Sequence, residues 1–238
     1  MWTMMPRSTN DQPDWFAAAA RVSAWSFGAI TLLLAGRLAL HMQWWEWPML
    51  IIATPFAWAL ADVLTGVVHW ALDTYGDPET PFIGPNFIEP FRRHHREPEA
   101  MLAISGAENI GSAAMLALAP LLALVGASFT AVPTRMIAAA AICLTATVLT
   151  NLFHRWAHME APPWIARSLQ RLGMALPRSE HTRHHQAPYD SAYCITCGWM
   201  NGVLEDLGFF ERLEAALASV GVHPHATSRC SSASESRA

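Results

Sequence analysis

The stretch PMLIIATPFAWALADVLTGVVHWAL, residues 48–72, decides the fold. A bilayer core needs about 20 apolar residues in a helix, and here Asp62 is the one formally charged side chain in a longer run. Further apolar runs at about 24–40, 110–129 and 134–153 repeat the pattern. The chain of 238 residues is 53% hydrophobic and 14% charged, too apolar for an ordinary water-soluble domain of this size. The expected fold is all-α, a multi-pass membrane protein with about four transmembrane helices. A signal peptide competes for the first run, but Arg37 and a weak cleavage pattern argue for a retained span.

Length allows one compact unit: an N-terminal segment at 1–23, a membrane domain at 24–220 and a serine-rich, disordered tail at 221–238. Segments 162–176 and 203–220 mix apolar and charged residues at helical spacing and read as helices on the membrane surface. All fifteen basic residues are arginine, which excludes Schiff-base and Walker-type lysine chemistry. A net charge of −4 offers no field for nucleic acid. Cys143, Cys194, Cys197 and Cys230 are too few and scattered for a disulfide framework, and Cys194-x-x-Cys197 lacks a second pair to complete a zinc site.

Arginines flank the spans unevenly. Arg7 and Arg21 precede the first, Arg92, Arg93 and Arg96 lie between the second and third, and most others follow the fourth. By the positive-inside rule both termini and the middle loop face the cytoplasm. Trp44, Trp45 and Trp47 then mark the outer interface, with Trp70 and Trp156 near the inner one.

Eleven histidines are the unusual number, and eight fall where this topology brings them to one membrane face: His69, His94, His95, His154, His158, His181, His184 and His185. Residues four apart on a helix lie about 40° apart around its axis, so His69/Asp73 and His154/His158 each aim at one point. His181 shares a face with both His184 and His185, which diverge by about 100° and can reach different metals. Alone, His69 or the His94–His95 pair reads as interfacial polarity, His154/His158 is intermediate and the triple at 181, 184 and 185 already favours a ligand set; their convergence reads as a metal site. Imidazole suits zinc, copper, iron and nickel alike. Eight histidines and a carboxylate exceed the four ligands of one zinc, so a dinuclear site is favoured. Asp73 is a candidate ligand, an orienter of His69, or a helix cap, and Asn151 either holds a water or packs between spans. His41, His223 and His225 are left outside the site.

Four motifs carry a family resemblance: Asp62-x-x-x-Gly66-x-x-His69-Trp70-x-x-Asp73; Gly84 through Phe91-Arg92-Arg93-His94-His95-Arg96-Glu97-Pro98; Phe153-His154-Arg155-Trp156-Ala157-His158; and His181-x-x-His184-His185 followed by Tyr193-Cys194 and Gly198-Trp199-x-Asn201. Together they resemble the lipid desaturase family that includes the plasmanylethanolamine desaturases of animals and bacteria, the bacterial ones known as CarF-like, and the plant phosphatidylglycerol desaturase. The resemblance implies an oxidoreductase that holds two iron ions with the eight histidines, Asp73 beside them as the acidic companion. It also implies a membrane phospholipid substrate, O2 as co-substrate, and electrons from an external donor of the cytochrome b5 or ferredoxin type. The expected reaction is conversion of an alkyl ether lipid to a vinyl ether plasmalogen, with acyl-chain desaturation of phosphatidylglycerol or another lipid as the alternative, and a non-catalytic metal-binding sensor as the reading of a different class. The expected location is the inner membrane in a bacterium or the endoplasmic reticulum in a eukaryote, with the site on the cytoplasmic side.

Overall fold

The computed structural model describes residues 14–225, and no strand is present among them. In chain order the helices are α1 (Asp14–His41), α2 (Glu46–Thr74), α3 (Glu89–Arg96), α4 (Gly106–Ala127), α5 (Thr134–His158), α6 (Trp164–Arg171), α7 (Arg178–His184), α8 (Asn201–Asp206) and α9 (Phe209–Ser219). A π-helical turn, Gly84–Ile88, leads into α3, and a 3₁₀ turn, Ala100–Leu102, precedes α4. Helices α1, α2, α4 and α5 are long and apolar enough to cross a membrane. The chain is an integral membrane protein, and its surface shows why: Leu33, Leu40, Ile51 and Phe56 are exposed, the arrangement lipid favours and water does not.

Helix α1 packs on α4, α4 on α5, and α5 on α2. Without a hydrophobic drive between helices in lipid, such contacts rest on close backbone approach over small residues. Ala20, Ala24, Gly111, Ala114 and Ala117 supply it between α1 and α4. A Cβ on Gly111 would stand 2.4 Å from the Ala20 carbonyl oxygen. Helix α1 begins ten residues before its apolar run, which places Arg21 inside the helix, where it pairs with Glu108 of α4 at 3.1 Å. At the opposite end Glu46 pairs with Arg135 at 3.1 Å and joins α2 to α5.

Two differences from the sequence reading have physical causes. Trp44, Trp45 and Trp47 are exposed, but Trp70 and Trp156 are buried in the packing instead of facing outwards. Trp70 stacks among Tyr75 and Phe210, and Trp156 against Phe153, because the short helices after α5 cover that end of the bundle. The amphipathic segment at 203–220 divides into α8 and α9 at Gly208, whose φ of 57° suits glycine. Residues 226–238 of the expected tail, with Cys230, lie outside the described residues; before them, the His225 amide donates to the Thr74 carbonyl at 2.8 Å.

Gly111→Val is expected to force α1 off α4 and to cost about 1–3 kcal/mol, as overpacking does in tight interfaces. A thermal unfolding midpoint in detergent equal to that of the parent would contradict the close crossing.

Candidate metal centre

Helices α2 and α5 end at the same side of the bundle, and their last turns carry His69 with Asp73 and His154 with His158. Helix α3 is brought there by Arg92, which is buried and donates to three carbonyls left unsatisfied at the end of α2: Leu72 (3.3 Å), Tyr75 (2.9 Å) and Gly76 (2.9 Å). His94 and His95 thereby reach His69, and α7 adds His181, His184 and His185 from the opposite side.

All eight histidines assemble, in two overlapping groups that could each hold a metal ion. His69, His94, His95 and His184 form one, and His94, His154, His181 and His185 the other, with ligand atoms within 4.8 Å of one another in each. His158 joins the second group, its Nε2 lying 2.7 Å from His181 Nε2 and 3.2 Å from His154 Nε2. His181 Nε2 also lies 2.9 Å from His154 Nε2 and 3.0 Å from His185 Nε2. One N–H cannot satisfy three nitrogen neighbours, so this packing of ring nitrogens calls for a cation among them. Two imidazole nitrogens each about 2.1 Å from one ion stand about 3.0 Å apart at a right angle, which is the spacing seen.

The first group carries its own evidence for a cation. His69 Nδ1 lies 3.1 Å from the Tyr193 carbonyl, His184 Nδ1 2.8 Å from the Ser191 carbonyl, and His94 Nδ1 against the Phe91 carbonyl. A carbonyl only accepts, so each Nδ1 holds the proton and each Nε2 presents a lone pair. Those three Nε2 atoms are buried with no hydrogen-bond partner. Asp73 Oδ2 stands 3.2 Å from His69 Nε2, 3.2 Å from His95 Nε2 and 3.5 Å from His184 Nε2. His95 Nε2 can donate to that oxygen, but the unprotonated Nε2 atoms of His69 and His184 face the carboxylate and repel it unless a positive charge lies between them. The residues therefore fit metal, and Asp73 faces the ligand nitrogens, whereas the second nitrogen of His69 is oriented by the Tyr193 carbonyl.

Burial, reinforced by neighbouring imidazoles, holds His94 and His181 well below the usual histidine range and His185 down to about 3, so these rings are neutral and able to bind metal at pH 7. Asn151 donates to the Asn109 carbonyl of α4 at 3.1 Å, which is packing between spans. His41 lies at the far end of α1 beside Arg37, and His225 meets Arg92 at 3.3 Å behind the site.

The loop between α7 and α8 was opaque to spacing arguments and is central to the site. Residues 192–197 are buried, and the Asp62 carboxylate accepts four of the loop's amides: Thr196 (3.0 Å), Cys197 (2.9 Å), Gly198 (3.1 Å) and Met200 (3.0 Å). Asn201 brackets Cys194 through both its N–H and its carbonyl. Thr196 bonds Thr65 of α2 and Thr150 of α5. A Cβ on Gly66 would stand 2.6 Å from Cys194 Sγ, so glycine lets the loop seat against α2. Burial pushes the Cys194 and Cys197 thiols up, keeping them protonated, and their stretch is held through its backbone.

Fold and site together define a multi-pass membrane protein whose clustered histidines are able to bind metal. The lipid desaturase domain family matches residues 58–227, and the chain belongs to that family. It is 36% identical to plasmanylethanolamine desaturase 1 of Mus musculus over 74% of this chain and 68% of that one. It is 32% identical to the plasmanylethanolamine desaturase of Myxococcus xanthus, over 81% and 71%, and 36% identical to the chloroplastic fatty acid desaturase 4 of Arabidopsis thaliana, over 71% and 52%. No solved structure matches. The chain is an oxidoreductase, a lipid desaturase.

The depressed histidines fix a pH dependence for metal-stripped protein. A folded-state value below the unfolded one, about 6.5, gives stability that is present above that pH and lost as pH falls towards the folded value. The unfolding midpoint of metal-stripped protein is expected to drop between about pH 7.5 and about pH 5; a midpoint that holds or rises would contradict buried, neutral imidazoles.

Proposed function

We propose that the chain introduces a double bond into an intact membrane phospholipid, converting the alkyl ether of plasmanylethanolamine into the vinyl ether of a plasmalogen, with two iron ions held by the eight histidines. The observation that carries the metal reading is the convergence of carbonyl-oriented Nε2 lone pairs around Asp73. His69, His95, His184 and Asp73 would hold one ion and His154, His158, His181 and His185 the other. His94 belongs to both sets, and its single free lone pair can serve only one.

Bound there, iron supplies the O2-dependent oxidising power to break an unactivated C–H bond, which no side-chain acid or base can do. The chain's residues provide what surrounds that step. Carbonyls of Phe91, Ser191 and Tyr193 fix ring orientation, Asp73 offsets positive charge, and burial of His69, His154, His181 and His184 keeps bulk water away. Removal of two hydrogens from adjacent carbons consumes one O2, two electrons and two protons and releases two waters. An external donor of the cytochrome b5 or ferredoxin type brings the electrons. The distribution of arginines supports a cytoplasmic face for the histidine end.

A second reading, acyl-chain desaturation, is favoured by one observation: identity to the Arabidopsis fatty acid desaturase equals that to the mouse protein. Lipid mass spectrometry on a plasmalogen-free host fed an alkyl-ether precursor separates the two. Acid-labile vinyl ethers with the parent and none with His184→Ala are expected. A new acyl double bond with no vinyl ether moves the substrate to the acyl lipid, and no change in any lipid from folded, metal-loaded protein overturns the desaturase.

A further inference from the structure

Asp62 is fully buried in a membrane-spanning helix, about two turns before His69. An isolated charge there is costly, and an irregular loop beside spanning helices needs partners for its amides. Each solves the other's problem: the carboxylate accepts four loop amides at 2.9–3.1 Å, three on Oδ1 and one on Oδ2. That loop follows directly on the two carbonyls that hold ring protons at the metal centre, Ser191 on His184 and Tyr193 on His69. Between them Ala192 is held at a φ of 55°, its amide donating to Glu205 at 3.0 Å, a conformation that alanine adopts only under outside constraint.

His184 and His69 belong to the same ligand group, and both face Asp73. The Nε2 atoms of His154, His158, His181 and His185 instead face one another. We propose that Asp62 is a positioning residue for one metal of the pair: by clamping residues 196–200 it sets the Ser191 and Tyr193 carbonyls and so aims His184 and His69, leaving the second group untouched. The inference rests on the two-metal reading above.

The test is a cobalt(II) titration of metal-stripped, full-length protein in detergent, followed by visible absorption, with helix content from circular dichroism. The parent is expected to show two binding events. Asp62→Asn keeps an oxygen for the Thr196, Cys197 and Gly198 amides but turns an N–H₂ towards that of Met200, and is expected to retain the helices. One event should weaken by about 10- to 100-fold, the range for loss of a group that orients a metal ligand, with the other unchanged. Asp62→Ala should abolish that same event. Two unweakened events in Asp62→Asn, or loss of both events together in either variant, would overturn the positioning role. A parent that binds no cobalt overturns the two-metal reading itself, a separable failure.

Discussion

Proton positions on the buried imidazoles constrain everything around the histidine centre. A ring whose Nδ1 is tied to a backbone carbonyl has no choice of tautomer, and its other nitrogen must present a lone pair. Three such rings, His69, His94 and His184, surround one point, and His69 and His184 face the Asp73 carboxylate there. Lone pairs and an anion do not gather at one buried point without a cation. The fold supplies what that requires: helix ends that converge, a loop that carries the carbonyls, and anchors that keep both in place.

Each anchor satisfies a backbone group that would otherwise be stranded. Arg92 takes the free carbonyls at the end of α2 and so fixes α3. Asp62 takes the free amides of the loop before α8. Arg155 donates to the carbonyls of Met101 and Leu102 and fixes the turn into α4. In a membrane, where water cannot fill these roles, a buried or half-buried charge bonded to several backbone groups serves as a structural rivet and stands at the edge of the centre without belonging to it.

The four spans and the gathering of eight histidines were legible in the sequence because each rests on a simple period: about 20 apolar residues for a span, and three- and four-residue spacings for ligands on a helix. The pairing of α1 with α4 was not, since Gly111 and Ala20 look like any small residues until two backbones approach. Arg92 read as one of three loop charges, and only its place beside the last carbonyls of α2 reveals its task. Asp62 was visible as part of a motif, as the lone charge in an apolar run, but its partners lie more than 130 residues away, in a loop with no periodicity. Trp70 and Trp156 are buried in the packing, which hydropathy alone does not report because it does not see the short helices that cover them.

The proposed centre holds a pair of iron ions among its histidines. Mössbauer spectroscopy with iron quantification, on iron-enriched protein purified without stripping, tests it most directly. About two irons per chain, lost as a pair when both His69 and His154 are replaced, is the predicted result. One zinc per chain with no iron, or stoichiometric iron that persists in that double variant, would contradict it.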